Sequence, residues 1–222
     1  MKDRVRAISF EFYGTLVDPN EGCRKALESE GLLETVSDWD AFASKLKSRV
    51  LHWQSTAYRH FREVMALSLQ EVLREHEVKV DDRTALQVAD SMPGWPIFDD
   101  AVSALRRLGS HWPLCVVTNA DRIPMRKAMD HIGIPFAEVV SGEDVRAYKP
   151  APQHFQELRR RLGERAEGLI HVATDLHTDV APALELGIET VWINRLGEPL
   201  PRDLKPALTG TTLEDLCEKL GV

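Results

Sequence analysis

Four short polar stretches of the chain contain residue types that do chemistry in proteins. They are Glu11-Phe-Tyr-Gly-Thr15, Thr118-Asn119, Lys149-Pro150 and Thr174-Asp175-Leu-His-Thr-Asp179. Carboxylates and a lysine can serve as nucleophiles, acids and bases. Any one of these stretches, taken alone, is more often a helix cap or a turn. A shared site becomes the stronger interpretation only if the fold brings all four together.

The elements that would position these stretches follow from the pattern of apolar residues. Short apolar runs predict strands at 5–10, 114–118, 137–140, 169–173 and 190–193. Amphipathic periodicity predicts helices at 99–108, 123–132, 152–162, 180–186 and 212–220. This alternation predicts an α/β fold with a doubly wound parallel sheet. Ligands of such folds bind beyond the carboxyl ends of the strands, so the polar stretches should meet at that edge.

A different pattern fills the region between the first and second predicted strands. From about residue 18 to residue 80 the periodicity is helical throughout, as in 39–50 and 58–76. A stretch rich in helix breakers, 91–98, then returns the chain to the alternating pattern. We therefore predict an α/β core domain formed by 1–16 and 96–222, with an inserted helical cap domain at 17–95.

Composition limits the possible partners. The formal net charge is −7, whereas a nucleic-acid surface normally shows clustered excess lysine and arginine. The first ten residues, MKDRVRAISF, contain no apolar h-region, so we expect no signal peptide, and no apolar stretch is long enough to span a bilayer. Its three cysteines, Cys23, Cys115 and Cys217, are far apart and predict neither a disulfide framework nor a zinc site. We expect a cytoplasmic protein that binds a small anionic molecule, without nucleic-acid or membrane partners; a homodimer is left open.

The four motifs, in this order, resemble the haloacid dehalogenase-like hydrolase superfamily. The resemblance covers almost the whole chain and is strongest in FEFYGTLVD, VVTNADR, GEDVRAYKPAPQHF and HVATDLHTDVAPALELGIETVWINR. Tyr13 and the closing TVWINR make it nearest to the 2-haloalkanoic acid dehalogenase branch. The resemblance implies a Rossmann-like core and a helical cap that closes over the site.

The resemblance also implies a role for each site residue. It places a nucleophilic acid at Glu11, which would form a covalent ester with the substrate. Lys149 would keep that acid ionised and neutralise developing charge. The full catalytic set is Glu11, Thr15, Thr118, Asn119, Lys149 and Asp179, and the substrate-binding set is Tyr13, Asn119 and Arg49.

Two parts of this assignment stay open at the level of sequence. The family pairs a cap arginine with the substrate carboxylate, and Arg49 is our candidate among five basic residues: Lys45, Lys47, Arg49, Arg59 and Arg62. The cofactor is either none or Mg²⁺, for which Glu11, Asp175 and Asp179 are the candidate oxygen ligands.

The chain departs from the family at the nucleophile, where Glu11 replaces aspartate. The extra methylene extends the acid by roughly 1.3 Å, and a misplacement of about 1 Å can cost on the order of a hundredfold in rate. Glu11 therefore has three interpretations: a nucleophile in a rearranged pocket, a base, or an acid in a site that has lost the ancestral reaction. One hypothesis is that glutamate impairs the displacement and that Glu11→Asp would restore it.

Three functions follow from these observations. A 2-haloacid dehalogenase-like hydrolase is favoured over a phosphatase, because Tyr13 stands where phosphatases carry a second aspartate. Phe155, in contrast, stands where close dehalogenases have tyrosine and resembles the phosphatase pattern. The third candidate, supported by Glu11, is a repurposed scaffold without hydrolase activity.

Overall fold

A six-stranded parallel sheet lies at the centre of the protein. The computed structural model describes residues 2–222. Neighbouring strands pair in parallel in the order β3-β2-β1-β4-β5-β6. The strands are β1 Ala7–Glu11, β2 Leu114–Thr118, β3 Glu138–Ser141, β4 Leu169–Ala173, β5 Glu189–Ile193 and β6 Leu208–Gly210.

Burial on both faces of the sheet explains why the sequence signals its central strands well. Every residue of β1, β2 and β4 is buried, so these strands appear as continuous apolar runs. The five predicted strands agree with β1 to β5 to within two residues at either end. Strand β6 was not predicted, because it has three residues and none of them is fully buried.

The described residues 2–222 form ten α-helices, some packed around the sheet and some in the inserted region. Within the described residues 18–95, the chain forms helices and short 3₁₀ turns but no strand. The α/β core with an inserted helical region is thereby confirmed, while the boundaries 1–16, 17–95 and 96–222 stay a prediction. The helices are α1 Pro19–Ser29, α2 Trp39–Gln54, α3 Phe61–Glu75, α4 Asp82–Asp90, α5 Ala101–Gly109, α6 Arg122–Ile132, α7 Gly142–Val145, α8 Gln153–Leu162, α9 Ala181–Glu185 and α10 Leu213–Leu220.

Helix α3 receives its N-terminal cap from the loop after β2. One carboxylate oxygen of Asp121 accepts a hydrogen bond from the backbone N–H of Phe61 at 3.0 Å, and the other accepts one from Arg62 at 2.9 Å. These N–H groups have no partner within the helix, so a carboxylate there satisfies them and the helix dipole. The Tyr148 hydroxyl adds a bond to the backbone oxygen of Arg59 at 2.6 Å. The inserted helices are thus fixed against the loops that carry the predicted site.

The breaker-rich stretch 91–98 packs on the first inserted helix. Trp95 is buried, and a Cβ atom added to Gly22 of α1 would lie 2.3 Å from the Cγ atom of the indole. Only glycine permits that approach. The Trp95 ring also meets the Tyr13 ring edge-on, with centroids 5.9 Å apart.

The buried apolar residues form the core of this fold. The three cysteines are buried and free. Within residues 2–222, every helix falls short of the length and apolar character that spanning a bilayer demands.

Candidate active site

Glu11, the last residue of β1, has one carboxylate oxygen surrounded by donors. Its Oε2 atom accepts the Thr15 hydroxyl at 2.8 Å and the Thr174 hydroxyl at 3.0 Å. The backbone N–H groups of Thr174 and Asp175 donate to the same oxygen at 3.1 Å and 3.4 Å. Thr15 therefore lies beside Glu11, and Thr174, from the loop after β4, contributes two of the four donors.

The turn after β1 depends on glycine. Gly14 has a φ of +106°, a conformation that residues with a Cβ atom rarely adopt. A Cβ atom there would also lie 3.0 Å from the Thr174 hydroxyl and 3.7 Å from Oε2 of Glu11. This turn brings Thr15 back onto the carboxylate that precedes it.

The second oxygen of Glu11 is bonded differently from the first. Among residues 2–222, no hydrogen bond reaches Oε1. The side chain is almost fully enclosed, and burial, together with the negative charge of Asp179, raises the pKa of Glu11 to about 7 against the opposing charge of Lys149. The carboxyl group thus changes its charge near neutral pH, with one oxygen held and the other free to react.

Lys149 and Asp179 form a buried ion pair next to Glu11. The two side chains are 3% and 0% exposed, and the ammonium group donates to Oδ1 of Asp179 and to the backbone oxygen of Val117, the latter at 3.2 Å. The Thr178 hydroxyl donates to Oδ2 at 2.8 Å. Burial by itself raises the pKa of Asp179, but the Lys149 charge and the hydrogen bonds from His171 and Lys149 together outweigh it and hold that pKa well below its usual range. Asp179 is therefore the ionised partner of the lysine.

Asn119 positions the loop that carries Lys149. Its Oδ1 atom accepts the backbone N–H of Lys149 at 2.8 Å, and its amide nitrogen lies 3.4 Å from the Lys149 carbonyl oxygen. The same nitrogen lies 3.4 Å from Oε1 of Gln54, the last residue of α2. Thr118 is buried, and its hydroxyl accepts the N–H of Ala120 at 3.2 Å. Among the hydrogen bonds of residues 2–222, Asn119 and Thr118 have none to Glu11.

The basic residue that helix α2 brings to the site is Lys47, which corrects the expectation for Arg49. Lys47 pairs with Asp175 at 2.8 Å. Burial by itself lowers the pKa of Lys47, but the charges of Asp175 and Glu11 raise it. Arg49 instead pairs with Glu75 at 2.8 Å and Glu71 at 3.6 Å. Residues two apart on a helix face different sides, so only one of them can reach the core.

Tyr13 presents a buried hydroxyl without a partner. Among the described residues, its oxygen has no hydrogen bond, and burial raises the pKa of Tyr13 so that the group stays protonated. The indole N–H of Trp53, near the end of α2, is likewise buried and unpaired. Buried donors without a partner carry a free-energy penalty that a ligand can relieve.

The predicted metal ligands do not fit Mg²⁺ in this arrangement. Both oxygens of Asp179 already accept hydrogen bonds, and Oδ1 faces a lysine. Asp175 uses one oxygen to cap the π-helical turn Leu176–Val180 and the other to pair with Lys47. The three acids are not gathered at ligand spacing; within residues 2–222 that spacing occurs at His60, Asp121 and Glu143. There Asp121 is committed to capping α3.

Three residues around the site received no role from the sequence. Thr174 lies in the fourth polar stretch but was not assigned to the site. Ser9 and His171, which bond to each other at 2.9 Å, lie inside strands. A signal for these two existed, because a serine and a histidine interrupt the apolar runs AISFE and LIHVA.

Comparison with known proteins relates the chain to hydrolases of two kinds. The family model for haloacid dehalogenase-like hydrolases matches residues 5–187. Haloacetate dehalogenase H-2 of Moraxella sp. (strain B) is 25% identical over 202 residues, which cover 87% of this chain and 88% of that protein. N-acylneuraminate-9-phosphatase of Mus musculus is 27% identical over 212 residues, covering 87% of this chain and 84% of the phosphatase.

The fold is similar to that of an enzyme of known structure. The structure of L-2-haloacid dehalogenase from Xanthobacter autotrophicus with chloropropionic acid covalently bound gives a TM-score of 0.84. The identity is 18%, and the match covers 98% of each chain. At this identity the likeness establishes a common fold.

Removing the charge of Glu11 should stabilise the protein at high pH. The folded pKa of about 7 lies above the ordinary 4.5, so folding favours the protonated form and the ionised form costs stability. Glu11→Gln should therefore raise the free energy of unfolding by on the order of 1–3 kcal/mol at about pH 8, and by little near pH 4. Urea unfolding across this range measures the difference. Glu28→Gln, on the exposed face of α1, is the control, and an equal effect of Glu11→Gln at both ends contradicts the prediction.

Proposed function

The chain belongs to the haloacid dehalogenase-like hydrolase family, and from this premise we propose that it hydrolyses a small 2-halocarboxylic acid with Glu11 as the nucleophile. One observation carries the proposal. Four donors hold Oε2 of Glu11, while Oε1 has none among the described residues. A carboxylate held by one oxygen keeps the other oriented for attack, which is the arrangement that covalent catalysis needs.

The proposed reaction has two steps. Oε1 of Glu11 attacks the carbon that bears the halogen, the carbon–halogen bond breaks, and the halide leaves with the bonding electrons. Water then attacks the ester carbonyl carbon of Glu11, and the bond between this carbon and the former Oε1 breaks. The water oxygen enters the regenerated carboxylate, the product keeps the former Oε1 as its hydroxyl oxygen with one proton of the water, and the other proton is released. The charge of Lys149 favours the ionised nucleophile.

Groups from the core and from the inserted helices support binding of an anionic substrate. Lys47 offers a cation near Glu11, and the unpaired Tyr13 hydroxyl offers a donor. A substrate carboxylate would accept from both. Tyr13 is a poor proton donor because burial raises its pKa. A departing halide needs no proton, whereas the leaving alcohol of a phosphate ester does.

Shortening the nucleophile tests whether the site is built for glutamate. Glu11→Asp should lower kcat about a hundredfold, since the acid draws back by roughly 1.3 Å from its donors and from the substrate. Glu11→Gln should abolish turnover. Steady-state assays on a panel of 2-haloacids measure both, and mass spectrometry after a single turnover in ¹⁸O water should find the label in Glu11. A faster Glu11→Asp enzyme would instead support the hypothesis that glutamate impairs the ancestral displacement.

Two basic residues of α2 provide a matched pair for testing substrate recognition. Lys47→Gln should raise KM for a 2-haloacid about tenfold, the effect of losing one partly exposed charged hydrogen bond. Arg49→Gln should leave KM within about twofold, because its partners are Glu71 and Glu75. Equal effects of the two substitutions would remove Lys47 from the proposed site.

A magnesium-dependent phosphatase is the second candidate, favoured by the likeness to N-acylneuraminate-9-phosphatase. The crowded carboxylates of Asp175 and Asp179 argue against a tight Mg²⁺ site. We expect a chelator to leave 2-haloacid turnover unchanged. Hydrolysis of a phosphate ester panel that disappears on chelation and returns with Mg²⁺ would favour the phosphatase.

A further inference from the structure

The buried side chains of Ser9, His171 and Asp179 form a chain of hydrogen bonds beneath the proposed site. Ser9 of β1 and His171 of β4 are register partners, and both are fully buried. The Ser9 hydroxyl lies 2.9 Å from Nδ1 of His171, and Nε2 lies 3.0 Å from Oδ1 of Asp179. The imidazole is held from the side by the Phe155 ring, edge-on at 4.9 Å between centroids.

The partners determine which ring nitrogen of His171 carries the proton. Asp179 is ionised and can only accept, so Nε2 must donate to it. In a neutral ring Nδ1 is then the acceptor, and the Ser9 hydroxyl must donate to it. Burial lowers the pKa of His171 and favours this neutral ring. The other acceptor within reach of Ser9, the backbone oxygen of Ile170, is farther away at 3.3 Å.

We propose that Ser9 and His171 are positioning residues that hold Asp179, and through it Lys149, in the orientation that catalysis by Glu11 requires. Asp179 binds the lysine through Oδ1, the same oxygen that receives His171. Thr178 holds only Oδ2. Without His171, Oδ1 would lose its only bond apart from the lysine among the described residues, and the carboxylate could turn about its bond to the chain. The ammonium group would follow it.

The tautomer of His171 tests the proposal without any assay of activity. Protein labelled with ¹⁵N in its eight histidines should show a neutral ring protonated at Nε2 and bare at Nδ1 that disappears in the His171→Gln spectrum, which separates it from the other fully buried ring, His154. Ser9→Ala should keep the ring protonated at Nε2, because Asp179 still accepts from it, and should shift the Nδ1 resonance, which loses the Ser9 donor. A ring protonated at Nδ1 in the unsubstituted protein, or an unaltered spectrum in Ser9→Ala, overturns the proposal.

The expected effect of His171 on kcat rests on the proposed function. Testing it needs variants that separate the hydrogen bond that His171 donates from the packing of its ring. His171→Phe keeps a ring but removes the donor, and should lower kcat about thirtyfold with KM within about twofold. His171→Gln restores an amide donor near the Nε2 position and should recover most of that loss. Ile170→Val trims the same strand without touching the chain of bonds, and should lower the melting temperature but not kcat.

The outcomes separate the two proposals. Equal losses of kcat in His171→Phe and His171→Gln, or a loss in Ile170→Val as large as that in His171→Phe, assign His171 a packing role and overturn the inference. If the unsubstituted protein turns over no 2-haloacid, the proposed function fails. The tautomer spectra then still decide whether Ser9 and His171 orient Asp179.

Discussion

Two acids buried beside one lysine are the constraint on which the rest of the site depends. Glu11 and Asp179 are 9% and 0% exposed, and Lys149 is 3% exposed. Burying an ion costs several kcal/mol unless a charge or hydrogen bonds compensate, and one ammonium group compensates only one acid fully. Asp179 forms the ion pair with Lys149 and keeps a low pKa, whereas Glu11 accepts hydrogen bonds from neutral donors and has a raised pKa. Unequal environments thus give two carboxylates different roles.

The topology of the sheet explains why these groups could be anticipated from sequence. Strand β1 lies between β2 and β4, so the ends of three strands that are far apart in sequence meet around Glu11. Open α/β sheets bind ligands where successive connections leave in opposite directions, as they do beside β1. Thr15 lies in the loop after β1 and Lys149 in the connection between β3 and α8. The apolar pattern predicted these strands, whereas the roles expected of the two residues came from the resemblance to the haloacid dehalogenase-like superfamily.

The contacts that the sequence did not predict depend on the rotation of a helix about its own axis or on the register of two paired strands. Lys47 and Arg49 are chemically similar, and only the rotation of α2 decides which one meets Asp175 and which one meets Glu75. His171 lies within a strand, where polar residues are usually satisfied locally; its partnership with Ser9 requires the pairing of β1 with β4. Strand β6 gives no apolar run because it is short and partly exposed. The periodicity of apolar residues identifies which helices and strands form, but it does not determine which of their side chains face each other.

Glutamate at the nucleophile position links the core to the inserted helices. Its held oxygen reaches the backbone N–H groups of Thr174 and Asp175, in the loop after β4. An acid shorter by roughly 1.3 Å would not span to these donors without movement of the strand or the loop. Asp175 in turn pairs with Lys47 of α2, so nucleophile, loop and cap cation form one series of contacts. In the proposed mechanism the substrate carboxylate competes with Asp175 for Lys47. Substrate binding would therefore also affect the loop after β4, whose N–H groups donate to Oε2 of Glu11. Under the proposed function, the longer acid would thereby couple the orientation of the attacking oxygen to the arrival of the substrate.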